Sequence, residues 1–191
     1  MPQAFALPWR KTWTKRVRAW LALMLMLPIA AGAQLFGSDE RGGERGRQAG
    51  PEAPVTLPQF PRQEDYLPFE VNATTPFDFF VDAKSLSVGA DRVVRYTVIA
   101  KSSAGALNIS FEGMRCADHQ FRVYALGRAD KTWSELRSSK WETIRGEPRN
   151  AQRAVLYNDF FCPLSGDITS AEEGVRALKN GGNPRAGIKG Y

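Results

Sequence analysis

Apolar and polar positions alternate most regularly between residues 93 and 128, and that stretch predicts a set of antiparallel strands. Val93–Lys101 (VVRYTVIAK) is rich in the β-branched and aromatic residues that suit a pleated surface. After the turn SSAGA, with Gly105, the segment beginning LNISFEGMRC places Leu107, Ile109 and Phe111 on one face and Asn108, Ser110 and Glu112 on the other. The two runs predict a β-hairpin. A third strand is expected over Gln120–Arg128, with Phe121, Val123 and Ala125 pointing inward, then a turn in RADKTW and a short strand in KWETI. Phe77–Val81 is a further strand candidate. It sits in a stretch punctuated by Pro61, Pro68 and Pro76, which restrict regular structure to short pieces. These strands predict a meander with one half-buried face.

The period changes in the last third. Ala151, Ala154, Val155 and Phe161 fall near helical spacing, with Asn150 as a candidate N-cap. A second helix is expected in TSAEEGVRALKNGG: Ser170 as cap, Glu173 completing a capping box, Ala171, Val175 and Leu178 as the apolar stripe, and Gly181 as terminator. The predicted fold class is α+β, an antiparallel β-sheet meander with C-terminal helices packed on one side or end.

The rest of the chain divides around this unit, which is expected to span residues 59–182. Residues 1–33 combine five basic residues, an apolar run from Ala19 to Ala31 and the small-residue sequence Ala31-Gly32-Ala33. That order describes a secretory signal peptide cleaved after Ala33, and the run is short of the roughly 20 residues a spanning helix needs. Residues 34–58 are Gly-, Pro- and charge-rich and are expected to be a disordered linker; residues 183–191 are expected to be a flexible tail. The whole chain has 26 basic and 20 acidic residues. Cleavage would leave 21 basic against 20 acidic, so the positive charge reads as a targeting feature rather than a footprint for nucleic acid. The expectation is a periplasmic protein without stable membrane insertion.

Export bears on the two cysteines, Cys116 and Cys162. In an oxidising compartment an even count favours one disulfide. Two alternatives stay open at this level. Cys116 and His119, the single histidine, would make a nucleophile and its base only if the thiol were free. A zinc site would need a carboxylate beside the two thiols and the imidazole. The polar setting of His119 suits an exposed turn.

LPFEV (67–71), the long run FFVDAKSLSVGADRVVRYTVIAKSSAGALNISFEGMRC (79–116), YALGRADKTW (124–133) and FFCPLSGDITSAEEGVRALKNGG (160–182) together resemble the cryptic neisserial protein-like family of exported bacterial proteins. The resemblance covers the expected domain. It implies an exported domain without an assigned reaction, cofactor or substrate, in which Cys116 and Cys162 take the family's paired cysteine positions. It supplies no catalytic residues.

Candidate chemistry is sparse. A serine triad has only His119 to draw on and no nucleophile elbow, and no phosphate loop, dinucleotide fingerprint or metal motif occurs. No catalytic residue, metal or cofactor is assigned. The polar face of the sheet is the best place to look for function. Pairing Thr97 with Ser110 would set Arg95 opposite Glu112, either as a plain cross-strand ion pair or, with Arg122 and Tyr124, as a binding surface. Trp133 beside Arg128 and Trp141 beside Lys140 are further candidates for that surface. The expected function is a non-catalytic binding or interaction module of the bacterial cell envelope, its partner an envelope protein or glycan. The alternative is an envelope hydrolase working through a carboxylate pair on glycan or peptide.

Overall fold

Short β-branched and aromatic runs cut by prolines and glycines give eight strands: β1 (Tyr66–Phe69), β2 (Phe77–Asp82), β3 (Ser87–Val88), β4 (Val93–Ser102), β5 (Leu107–Arg115), β6 (Gln120–Gly127), β7 (Trp133–Glu135) and β8 (Glu142–Thr143). The computed structural model describes residues 51–146, 148–164 and 166–187, all within the compact unit Glu40–Tyr191. The expected signal peptide, residues 34–50 of the expected linker and residues 188–191 of the tail lie outside the described residues. The strands form one antiparallel open sheet in the order β1-β2-β4-β5-β6-β7, with β3 also along β4 and β8 along β6. With the C-terminal helices this is the α+β class expected.

The β4–β5 turn decides which side chains share a face. Ser102 N–H donates to the Ala106 carbonyl, leaving Ser103, Ala104 and Gly105 as the loop, and Gly105 adopts a left-handed φ of 84°. A three-residue hairpin loop needs one left-handed residue, and glycine supplies it. Pairing Thr97 with Ser110 would instead leave a two-residue loop of Ser103 and Ala104, which requires positive φ where neither residue favours it. The observed register therefore sets Thr97 opposite Phe111, Tyr96 opposite Glu112 and Arg95 opposite Gly113. A slip of one residue exchanges faces, so Arg95 and Glu112 lie on opposite sides of the sheet.

Neither face is open along the central strand. Residues 93–99 of β4 are all buried, in place of the alternation that one covered face would give. On one side Val94, Tyr96, Val98, Met114 and Phe121 pack against Leu156, Phe160, Phe161, Ile168 and Leu178 from the C-terminal region. On the other, Phe111, Tyr124 and Ala125 pack with Val55, Leu57 and Trp133. Phe121 and Val123 point to the first side as expected. Ala125 does not, because a bulge in the β5–β6 pairing, between Phe111 and Glu112, moves it opposite Phe111.

The helical cover begins with α1 (Ala151–Val155) and continues as a π-helical turn, Leu156–Phe161. Cys162 N–H donates five residues back to the Tyr157 carbonyl. The wide turn buries Leu156, Phe160 and Phe161 together and delivers Cys162 to its disulfide with Cys116, at the end of β5. Asn150 does not cap α1; its Oδ1 accepts from Arg153 Nη1 at 2.6 Å. The second helix, α2 (Ala171–Lys179), is capped by Ser170 Oγ, which accepts from Glu173 N–H at 3.3 Å. Glu173 reaches back to Thr169 N–H at 2.9 Å. Gly181, at φ 73°, ends the helix: Gly182 N–H reaches the Ala177 carbonyl and Gly181 N–H the Leu178 carbonyl. The expected stripe of Ala171, Val175 and Leu178 packs on the core, and Gly174 and Ala177 join Leu178 as its buried residues. A Cβ on Gly174 would meet Leu86 at 2.6 Å and Ile168 at 2.9 Å, so the bare backbone lets the helix sit close. The first residue of the expected tail, Asn183, is buried, donating from Nδ2 to the Phe160 carbonyl at 3.2 Å.

Candidate functional site

Residues 52–58, read from sequence as linker, lie across the second face of the sheet as an extended strap. Ala53, Val55 and Leu57 are half-buried while Pro54 and Thr56 point outward. The strap forms no strand. Side chains of the sheet hold it instead.

Arg95 anchors the floor beneath it. Opposite it stands Gly113, with no side chain to fill the face, so the guanidinium turns to Asp91. Arg95 Nη1 donates to Asp91 Oδ1 at 3.1 Å and Nη2 to Oδ2 at 2.6 Å, both side chains being buried. The pair then reads both main-chain groups of one strap residue: Ala53 N–H donates to Asp91 Oδ2 at 2.8 Å, and Arg95 Nη2 donates to the Ala53 carbonyl at 3.4 Å. Burial pushes the Asp91 carboxyl up. The hydrogen bonds from Arg95, Ala53 and Val93, and the charge on Arg95, outweigh that and hold it at about 2 against an ordinary 3.8. A carboxyl depressed in the folded state stabilises the fold fully above its unfolded value and loses that contribution as pH falls through the folded one. The difference in urea midpoint between the wild type and Asp91→Asn is therefore expected to be constant above about pH 5 and to close between pH 3.8 and 2. A difference that stayed constant across that interval would contradict the assignment.

Glu52 occupies the other end. Its carboxylate accepts from Tyr124 Oη at 2.8 Å, Arg122 Nη1 at 2.9 Å and Trp141 Nε1 at 3.0 Å. Partial burial raises its pKa, but those three donors and the Arg122 charge bring it below the usual carboxylate range. Burial, and then the hydrogen bond to Glu52, raise the Tyr124 phenol well above its ordinary value, so it stays a donor. The Arg115 guanidinium lies 4.2 Å from the Trp141 ring, and those of Arg122 and Arg95 lie 5.6 Å and 6.0 Å from the Tyr124 ring. The Nε atoms of Arg95, Arg115 and Arg122 are buried without a hydrogen-bond partner among the described residues. Farther along, Trp133 Nε1 donates to the Pro58 carbonyl at 2.9 Å. A cleft of about 740 Å³ runs beside the strap between Val55, Leu57 and Tyr124 on one side and Glu135, Leu136 and Arg137 on the other.

Strand alternation and one glycine make this geometry. Arg122, opposite Gly113, and Tyr124, two residues on, share one side of β6, and Tyr124 lies over Gly113. A Cβ there would stand 2.2 Å from Tyr124 Oη and 2.8 Å from its ring. Gly113→Ala must displace the ring from Glu52 and is expected to cost about 1–3 kcal/mol, read as a lower urea midpoint. An unchanged midpoint would show that the ring has room to move.

Of the residues singled out from the sequence, Arg95, Arg122, Tyr124, Trp133 and Trp141 come together on this face. Glu112 does not. It is fully buried on the helical side, accepting from Arg153 Nε at 2.8 Å and Nη2 at 2.7 Å, Ser110 Oγ at 2.6 Å and Tyr96 Oη at 3.3 Å. The Arg95–Glu112 ion pair is thus replaced by Arg95–Asp91 and Glu112–Arg153. Trp141 stacks under Arg115 rather than Lys140, and Trp133 packs on Phe60 at 5.2 Å while Arg128 donates to Ser134 Oγ. Glu52, Asp91, Gly113 and Arg115 escaped the sequence reading. The period-two pattern of Ala53, Val55 and Leu57 was the available signal, masked by the surrounding prolines and glycines.

This face offers cationic and neutral donors converging on a carboxylate. Asp91 is engaged by Arg95 and Glu52 by Arg122, while Glu135 lines the far wall of the cleft. Among the described residues no group of three His, Cys, Asp or Glu side chains is placed to hold a metal ion. His119 is exposed in the β5–β6 turn at φ 53° and stacks on Tyr157 at 4.1 Å; Cys116 beside it is bonded to Cys162, so the thiol needed for a nucleophilic pair is consumed.

The sequence profile of the CNP1-like family matches residues 47–179. No curated protein and no solved structure matches the chain.

Proposed function

The chain belongs to the CNP1-like family, and we propose that it is an exported, non-catalytic binding module of the bacterial cell envelope. The cryptic neisserial protein-like resemblance is compatible with that membership. One observation carries the reading: Arg122, Tyr124 and Trp141 converge on a single carboxylate, with the Arg95–Asp91 pair reading the main chain of the adjoining residue. Groups arranged this way are suited to recognising a carboxylate. The Cys116–Cys162 disulfide supports a periplasmic location, since such bonds persist in oxidising compartments. No helix among the described residues is long and apolar enough to cross a membrane.

The test is site-specific photo-crosslinking in intact cells. A photoreactive residue replaces Leu136, at the rim of the cleft, or Lys179, on α2. A discrete adduct from position 136 and none from 179, lost when Arg122→Ala is added, is the expected result. Absence of any adduct from position 136 counts against the reading. Turnover of a wall glycan or peptide, abolished by one carboxylate substitution, would replace it with the hydrolase alternative.

A further inference from the structure

The strap is built like a ligand. Its contacts come in a sequence: a carboxylate (Glu52) held by three donors, a residue (Ala53) read at both main-chain N–H and C=O, and two apolar side chains (Val55, Leu57) against Phe111, Tyr124 and Ala125. The Pro58 carbonyl, held by Trp133, ends the run. An extended peptide is recognised this way, by alternate side chains in pockets and a few main-chain bonds. The strap is also weakly embedded. None of residues 52–58 is fully buried, and none joins a strand. The receptor, in contrast, is rigid: Arg95 and Asp91 are buried, and Tyr124 is pinned over Gly113.

We infer that residues 52–58 occupy in cis a groove that takes an acidic extended peptide segment from a partner protein, one presenting a carboxylate followed by apolar side chains three and five positions later. The inference rests on the reading of this face as a binding surface and names what it binds. Arg122 donates to the carboxylate position, Arg95 and Arg122 both lie over the Tyr124 ring that donates to it, and Arg115 lies over Trp141, which donates to it as well. The charge of the groove therefore selects an anionic segment. The cleft beside Val55 and Leu57 gives an incoming chain room to engage before the strap leaves. The strap sets the threshold for the partner: the apparent affinity falls by the fraction of time that the groove is open.

The probe is a fluorescein-labelled peptide with the sequence of residues 51–60, PEAPVTLPQF. The receptor is the full chain, as wild type and as the triple variant Glu52→Ala, Val55→Ser, Leu57→Ser. Fluorescence anisotropy is expected to show the triple variant binding at least ten-fold more tightly than the wild type. A peptide with glutamine in place of glutamate should bind at least five-fold more weakly, as should the triple variant with Arg122→Ala added. A triple variant that keeps its disulfide and circular dichroism but binds no peptide overturns the inference. So does equal binding of the two peptides. Should the triple variant not fold, the wild type decides. Exchange of the Ala53 amide, bonded to Asp91, is expected to accelerate at least five-fold under millimolar peptide; unchanged exchange overturns the inference. Failure here together with a position-136 adduct in cells would mean that the face binds its partner beside the strap. Failure of both removes the binding surface itself.

Discussion

Replacing Arg153 by methionine is expected to destabilise the protein by about 3–5 kcal/mol, a large share of the ~5–15 kcal/mol that holds a domain together. Glu112 is fully buried in the middle of the sheet, and Arg153 supplies two of the four hydrogen bonds its carboxylate accepts. Methionine keeps packing over Phe121, whose ring the guanidinium covers at 4.1 Å, but strands the negative charge. The loss should be read as a fall in urea midpoint at pH 7. Pairing Arg153→Met with Glu112→Gln removes the charge while leaving an amide oxygen for Ser110 and Tyr96. The double variant is expected to recover more than half of the loss, because the penalty belongs to the unpaired ion rather than to the missing contact. If both variants fell equally, the ion pair would not be what α1 contributes here.

The second large effect concerns the covalent link. Cys116 closes β5 and Cys162 ends the π-helical turn, 46 positions apart. A loop of that length stabilises by about 4 kcal/mol when closed, through loss of freedom in the unfolded chain. The variant Cys116→Ser, Cys162→Ser is expected to lose about 2–4 kcal/mol. The wild type in reductant should fall to the same midpoint, and reductant should leave the variant unmoved. The neighbourhood favours local survival of the contact: Tyr157 Oη donates to the Cys116 carbonyl at 2.9 Å and its ring stacks on His119. Free thiols with no change in midpoint would refute the staple.

These two interactions show how far the sequence could be read. The disulfide followed from the cysteine count and the expected compartment, and the strands from their period. Ser170 and Gly181 announced the ends of α2 because caps are local chemistry. Glu112 was misplaced because its face depends on the register, and the register depends on whether two or three residues close one loop. Gly105 held that information, since only it takes the left-handed position of a three-residue loop. Tyr124 shares its surface with Arg122 by plain alternation, whereas Ala125 breaks the pattern because the bulge re-aims it. The strap was missed because a segment without a core of its own draws its order from the surface it covers. Its composition resembles a tether, and only the sheet shows that Glu52 has three donors waiting.

That ordering has a practical side. A shortened protein beginning at residue 59 would follow the compositional boundary, yet it would strip Val55 and Leu57 from Phe111, Tyr124 and Ala125 and unroof the Arg95–Asp91 pair. Freshly bared aromatics ringed by cations are sticky, and such material should sediment or co-purify with acidic contaminants where the longer protein stays dispersed. On this expectation the seven residues of the strap, 52–58, serve as a built-in solubility shield.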